Sequence, residues 1–240
     1  MISIIMPVYN ESKYLGASIQ GIIKQTYKDW ELIIVDDCST DNSVEIIQGY
    51  RLRYPQENIR LIRKNENGGH TKSLNIALKN IKGDYIAMQD ADDISYPERL
   101  QKQIKVLRSG DIGLVSTYGI AINKDGNRVR DWYNDVAQRK PAKEIKKAIK
   151  NDCWILGPSM MWTKEVFNKI GYFDEKLYFG NDVNYWIRAM AHFKWTRVEE
   201  ELYKKRRHPY QVRKQHPELN STNWHALAYE RAFQCPRIDV

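Results

Sequence analysis

The sequence predicts an α/β fold with a doubly wound, mostly parallel sheet, helices on both faces and a mixed C-terminal part. Three observations carry this. Short β-rich apolar runs alternate with helical patterns through the N-terminal half. The first run, Ile2 to Val8, is almost continuously apolar, as expected of a strand covered on both faces. A polar cluster follows each of the first four runs, where ligands bind in open α/β sheets.

In order, a helix is expected from about Ser12 to Gln25, with Leu15, Ile19, Ile22 and Ile23 on one face. Glu31 to Val35 forms the second strand. Asp41-Asn42-Ser43 opens the next helix, which turns Val44, Ile46, Ile47 and Tyr50 toward the core. Asn58 to Arg63 is the third strand, and Gly69 to Ile81 the third helix, with Leu74, Ala77 and Leu78 inward. Tyr85 to Met88 is the fourth strand. Pro97 stands in the first turn of a fourth helix bearing Leu100, Ile104 and Leu107. Right-handed crossovers then give a parallel sheet. Its rim carries Tyr9-Asn10-Glu11, Asp36-Asp37, Asn65 to Gly69 and Asp90-Ala91-Asp92-Asp93.

The second half is less regular. Gly113 to Asn123 and the turn Lys124-Asp125-Gly126-Asn127 predict a hairpin. Lys140 to Lys150 predicts a surface helix, Val183 to His192 a helix after Gly180-Asn181-Asp182, and Thr196 to Arg206 a late strand. Asn220 to Gln234 has helical composition. No repeat or low-complexity linker interrupts the chain, so 1–240 is expected to be one domain, with a first half over 1–100, a second over 101–215 and a helical tail over 216–240.

The chain has 240 residues, 42% of them hydrophobic, enough for one sizeable core. No apolar run approaches the ~20 residues that span a bilayer, and Met1 to Pro7 lacks the basic region of a signal peptide. Three scattered cysteines, Cys38, Cys153 and Cys235, give no metal pattern and no disulfide framework, so a reducing cytoplasm is the expected compartment. The net charge of +8 favours anionic partners: nucleotide phosphates, nucleic acid or a membrane surface such as the inner one.

Several chemistries lack their motifs. There is no Gly-x-Gly-x-x-Gly turn, no Walker loop, no His-Glu-x-x-His or Cys-x-x-Cys pair and no Gly-x-Ser-x-Gly elbow. What stands out is a strand that ends in three carboxylates within four residues. Like charges so close need an offset. One reading is a divalent cation held by hard oxygen ligands, Mg²⁺ or Mn²⁺. The other is a solvated acidic loop in which Asp93 or Ser95 caps the next helix.

Four segments, in order, narrow this. Ile4-Ile5-Met6-Pro7-Val8-Tyr9-Asn10-Glu11, Leu32 to Asp41, Asn67-Gly68-Gly69-His70-Thr71-Lys72-Ser73-Leu74-Asn75, and Asp90-Ala91-Asp92-Asp93 with Pro97 shortly after together resemble the family 2 glycosyltransferases of GT-A fold. The resemblance is ordered over the first 100 or so residues. It is looser beyond, through Gly171 to Asp174, Asn181-Asp182 and Tyr203 to Gln211.

The resemblance implies roles. Asp37 would bond the nucleotide base, and Pro7, Tyr9 and Glu11 would line the base and ribose pocket. Asn67 and Lys72 would lie on the phosphate side, with Lys72 otherwise a solvated helix residue. Asp90, Ala91 and Asp92 would flank the donor, and Asp92 and Asp93 would hold the metal. Asp182 would be the general base that deprotonates an acceptor hydroxyl in an inverting displacement; from the residues alone it is a helix cap. Asn181 replaces the family's usual Glu. Arg206 and Arg207 would approach the diphosphate and His208 the metal, the alternative being a solvated or membrane-facing charge run. Among Trp132, Trp154, Trp162 and Trp186 core packing is favoured over sugar stacking.

The expected activity is transfer of one sugar from a nucleotide diphosphate donor, UDP favoured, to a hydroxyl of a glycan or glycoconjugate. A sugar-nucleotide nucleotidyltransferase would need a glycine- and arginine-rich loop after the first strand, which Pro7 to Glu11 is not. A non-catalytic nucleotide-sugar-binding module finds support in Asn181. Nucleic acid is not an expected partner, because the positive charge is not gathered in a recognised binding motif.

Overall fold

The computed structural model describes residues 1–130, 155–209 and 223–239. The elements are β1 (Ile2–Val8), α1 (Leu15–Ile23), β2 (Trp30–Asp36), α2 (Ser43–Arg53), β3 (Ile59–Arg63), α3 (His70–Lys79), β4 (Tyr85–Met88), β5 (Ile94–Ser95), α4 (Arg99–Leu107) and β6 (Leu114–Ile122). A 3₁₀ turn (Gly157–Ser159), β7 (Met161–Thr163), α5 (Lys164–Ile170), α6 (Asn181–Met190), β8 (Trp195–Arg206) and α7 (Trp224–Gln234) follow. The expected helix over Lys140 to Lys150, Trp132, Trp154, Cys153, His216 and the segment from Tyr210 to Gln211 lie outside the described residues.

Among the described residues one eight-stranded sheet runs β3-β2-β1-β4-β7-β6-β8-β5. The β3-β2-β1-β4 half is parallel. β7 enters antiparallel between β4 and β6, and β5 antiparallel on β8. The parallel half therefore comes from the βαβ pattern, and the mixed half from the irregular second part of the sequence.

Two cores flank the sheet, separated by the two-residue alternation of strand side chains. Ile2, Ile4, Met6, Leu32 and Ile34 meet α1 and α4 through Leu15, Ile19, Ile22, Leu100 and Ile104. Ile5, Ile33, Val35 and Ile86 meet Leu74, Trp162, Tyr185 and Trp186 on the other side. Trp162 and Trp186 are fully buried and cross edge-on with ring centroids 5.3 Å apart, so both pack the core.

Some boundaries differ from expectation for local reasons. Helix α1 begins at Leu15, not Ser12, because the amides of Glu11 and Ser12 bond to Ser43 Oγ (3.0 Å) and Asp41 Oδ2 (2.9 Å) in the β2–α2 loop. Pro97 precedes the N-cap Glu98 of α4, and its carbonyl accepts Thr26 N–H. Among the described residues, the return arm of the expected hairpin is a single bridge, Ile122 to Arg128. No helix among the described residues is long and apolar enough to cross a membrane.

Strand register sets the rim. Val8 pairs with Asp36, and Asp36 with Arg63, so the carboxyl ends of β1, β2 and β3 finish level. Strand β4 is paired up to Met88, opposite Ile5, and Gln89 N–H still bonds Ile5 C=O at 3.1 Å. The acidic turn leaves the sheet next to the loop after β1.

Trp162 joins β4, β6 and the ring cluster on α6. Trp162→Ala should cost about 3–5 kcal/mol, the usual scale for deleting a buried aromatic. Urea denaturation measures this, and a loss below about 1 kcal/mol would mean that the site collapses around the cavity.

Candidate functional site

Asp90 to Asp93 form a tight turn between β4 and β5. The antiparallel pairing of Ile94 with Lys204 and Ser95 with Tyr203 lays it against the end of β8. Arg206 N–H donates to Asp93 Oδ1 at 2.7 Å, and Arg206 Nε donates to the Asp92 carbonyl at 2.9 Å. Two residues on, His208 Nε2 lies 3.0 Å from Asp92 Oδ2. His208 is 2% exposed and packs on Tyr14, ring centroids 4.8 Å apart. The C-terminal part of the chain thus closes over the acidic turn.

Glu11 arrives from the loop after β1. One ligand atom each from Glu11, Asp92 and His208 lie within 4.8 Å of one another, and the same holds for Asp90, Asp92 and Asp93. The crowding has electrostatic consequences. The Glu11 carboxyl is pushed up to about 8 by burial and by the charges of Asp92, Asp90 and Asp41. Burial, then Asp92 and Asp90, also hold the Asp93 carboxyl well above the usual carboxylate range. Asp93 Oδ2 and Asp90 Oδ1 are buried without a hydrogen-bond partner. Unpaired buried carboxylate oxygens beside an imidazole are the donor set that suits Mg²⁺ or Mn²⁺, so the residues fit such an ion. The capped-loop alternative is not realised: Asp93 accepts from Arg206, and Ser95 Oγ donates to Gln89 Oε1 at 2.6 Å.

Asp37, 3% exposed, follows β2. Oδ1 accepts from Lys64 Nζ and from Gly68 N–H (2.9 Å), and Oδ2 from Gly69 N–H (2.7 Å). Of roughly four lone-pair positions on a carboxylate, one is left for a ligand. Gly69 has φ +88°, a region that favours glycine, and it carries this loop into α3. Asn67 is exposed and accepts Gly69 N–H at 3.2 Å; Lys72 is exposed on α3. Pro7 is buried in β1, while Tyr9 is 45% exposed at its end. Ala91 is buried inside the acidic turn.

Asp182 lies in the first turn of α6. It is not the cap: the N-cap is Gly180, at φ +76°, with no side chain to give. Asp182 Oδ1 accepts Val183 N–H at 2.8 Å, while Oδ2 sits against Gly157, where an added Cβ would come within 2.5 Å of it. Asn181 Nδ2 donates to Thr71 Oγ1 at 2.7 Å and ties this turn to α3. His70, at the start of α3, is 3.9 Å from Asp90 Oδ1 and also feels the charges of Asp182 and Asp92. Carboxylates of the acidic turn and of α6 therefore act on one neighbourhood.

Arg206 has a different place from the one expected. It is buried, its guanidinium stacks 4.5 Å over Tyr14, and its donors reach the carbonyls of Asp92, Asn123 and Lys124. In this arrangement it shapes the acidic turn. Arg207 is half-buried, its N–H bonded to Ile122 C=O at 2.7 Å. Sequence reasoning missed Tyr14, Lys64, Gln89, Arg99, Tyr203 and Gly157. The available signal was Arg99 and Gln103, spaced by four on the helical stripe that also carries Leu107.

The family model described as Glycosyl transferase family 2 matches residues 3–171, more than half of the chain. The chain belongs to glycosyl transferase family 2. Glycosyltransferase MJ1057 of Methanocaldococcus jannaschii is 37% identical over 210 residues, covering 86% of this chain and 70% of the relative. Glycosyltransferase RC0461 of Rickettsia conorii is 30% identical over 243 residues, covering 96% of this chain but 38% of the relative. This family 2 chain thus spans well under half of some relatives. Staphylococcus aureus TarS 1-349 in complex with UDP superposes with a TM-score of 0.70 at 23% identity, over 97% of this chain and 72% of that one. The mannosyltransferase PcManGT of Pyrobaculum calidifontis, in complex with GDP-Man and Mn²⁺, gives 0.68 at 17% identity over 97% and 74%. These likenesses establish the glycosyltransferase fold.

The Glu11 shift has a testable sign. The folded protein keeps this proton up to about pH 8, whereas the unfolded chain releases it near 4.5. Without divalent cation, stability should fall as pH rises between those values. Thermal unfolding in chelator across that range should show a shallower decline for Glu11→Gln. An unchanged slope would mean that burial and the neighbouring carboxylates do not hold Glu11 protonated.

Proposed function

We propose that this enzyme is a metal-dependent, inverting glycosyltransferase that moves a sugar from a nucleotide diphosphate donor, UDP-linked by preference, to a hydroxyl of a glycan or glycoconjugate. The observation that carries the reading is the convergence of Glu11, Asp90, Asp92, Asp93 and His208 at the sheet rim, with the Asp182 carboxylate approaching from α6. TarS bound to UDP and UDP-GlcNAc, and PcManGT bound to GDP-Man and Mn²⁺, support a nucleotide-sugar donor and a divalent ion.

In this reading Asp92, Asp93 and His208 would hold Mn²⁺ or Mg²⁺, with Glu11 and Asp90 beside them, and the ion would supply positive charge to the leaving nucleoside diphosphate. Asp37 offers its remaining lone pair to an N–H of the base, and Pro7 and Tyr9 line the base and ribose. Asn67 and Lys72 lie on the phosphate side. Asp182 Oδ2 accepts the proton of the acceptor hydroxyl as it attacks the anomeric carbon; one displacement inverts that centre. Residues 1–100 serve the donor and 101–215 the acceptor, with 216–240 as a helical tail, all within one GT-A-like unit.

Calorimetric titration of UDP-glucose, UDP-N-acetylglucosamine and GDP-mannose, each with and without Mn²⁺, tests the donor class. A UDP-sugar is expected to bind most tightly, and only with Mn²⁺. Alanine at both Asp92 and Asp93 should remove the difference between the two titrations; identical titrations for the unaltered protein would refute the metal site. Asp182→Asn should leave UDP–Mn²⁺ binding intact while turnover drops ~10²-fold or more. Turnover near that of the unaltered enzyme would sink the base assignment.

A further inference from the structure

Arg99, the first residue of α4, is completely buried, yet among the described residues no carboxylate is one of its hydrogen-bond partners. Burying a guanidinium is costly, and an aliphatic side chain would fill the space more cheaply. Its partners fall into two groups. On one side NH2 donates to Met88 C=O (2.8 Å), and NH1 to Ser95 Oγ (2.8 Å) and Gln89 Oε1 (3.3 Å). Gln89 Nε2 in turn donates to the carbonyls of Asp90 (3.0 Å) and Asp93 (3.1 Å), so this side holds both ends of the acidic turn.

On the other side NH2 also donates to Pro158 C=O (3.3 Å), and Nε to Gln103 Oε1 (3.0 Å). Gln103 Nε2 donates to Ser159 C=O at 2.7 Å. Pro158 and Ser159 belong to the 3₁₀ turn whose Gly157 forms the wall against Asp182 Oδ2. Tyr203, whose ring lies 5.0 Å from the guanidinium, accepts Asp90 N–H at 3.2 Å.

We propose that Arg99 is a positioning residue for glycosyl transfer: one planar, forked cation fixes the separation between the acidic turn and the Gly157–Ser159 turn. The donor-side carboxylates and Asp182 are thereby held in one geometry. A rigid fork can bridge two carbonyl-lined walls in a way that a lysine ammonium cannot. The consequence for turnover rests on the reading of Asp182 as the base; the coupling of the two turns does not.

Hydrogen–deuterium exchange on the full chain separates these. In Arg99→Lys the amides of residues 90–93 and of 157–160 should both gain exchange, by about 10-fold, with the remaining strands within about 2-fold. UDP–Mn²⁺ affinity should change by less than about 3-fold. For UDP release from UDP-N-acetylglucosamine, kcat should fall by about 10- to 100-fold with KM little altered, as expected when reacting groups are misplaced. A rise confined to one turn, or spread evenly over the protein, would overturn the inference. If Arg99→Lys does not fold, Gln103→Met breaks the link one bond further on; exchange must still rise in residues 90–93, and a response limited to 157–160 counts against the proposal. Asp182→Asn leaves both turns protected, so failure of the base assignment and failure of this inference appear in different measurements.

Discussion

Carboxylate crowding at the sheet rim is the constraint on which the rest of the structure depends. Glu11, Asp90, Asp92 and Asp93 come from two loops, and burial together with their mutual repulsion raises the proton affinity of Glu11 and Asp93. Left alone, such a turn would spread into solvent. Here it is held from outside by the Arg206 amide and guanidinium, and from beneath by Gln89, Tyr203 and Arg99. The fold keeps an unfavourable arrangement together, as polypeptides do where a cation is to be bound.

The mixed half of the sheet supplies that restraint. A purely parallel sheet would leave the rim open above β4. Strand β7 enters antiparallel beside β4 and brings the Gly157–Ser159 turn with it; β8 runs past β5 and delivers Arg206 and His208 to Asp92. In the proposed reading, donor chemistry belongs to the βαβ half of this family 2 enzyme. The later strands and α6 bring the group that would meet an acceptor. The two are joined through Arg99 below and through Asn181 and Thr71 at the side.

The parallel half was legible in the sequence because each element there is set by local pattern. Ile2 to Val8 and Tyr85 to Met88 are found as strands at the expected bounds, and the rim clusters lie where parallel topology puts them. Asp90-Ala91-Asp92-Asp93 was visible as chemistry because nothing in packing explains it. What escaped depends on distance along the chain. Glu11, expected at the base and ribose pocket, lies instead with Asp92 and His208, a pair that spans 116 positions and is reached from the sequence only through the family resemblance. Asp182 reads as a cap from the residues alone and as a base from the resemblance; Gly180 takes the cap position with a left-handed backbone. Arg99 and Gln103 are polar residues among the apolar positions of α4, and only their burial marks them as part of the inner face.

The central claim is that the crowded rim is a cation site for the donor diphosphate. A crystal of the protein grown with UDP and Mn²⁺, with data collected at the manganese absorption edge, tests it most directly. The account predicts an anomalous peak within coordination distance of the Asp92 carboxylate and His208 Nε2, and diphosphate oxygens on its open side. Manganese elsewhere, or UDP bound with no peak at Asp92, would contradict it.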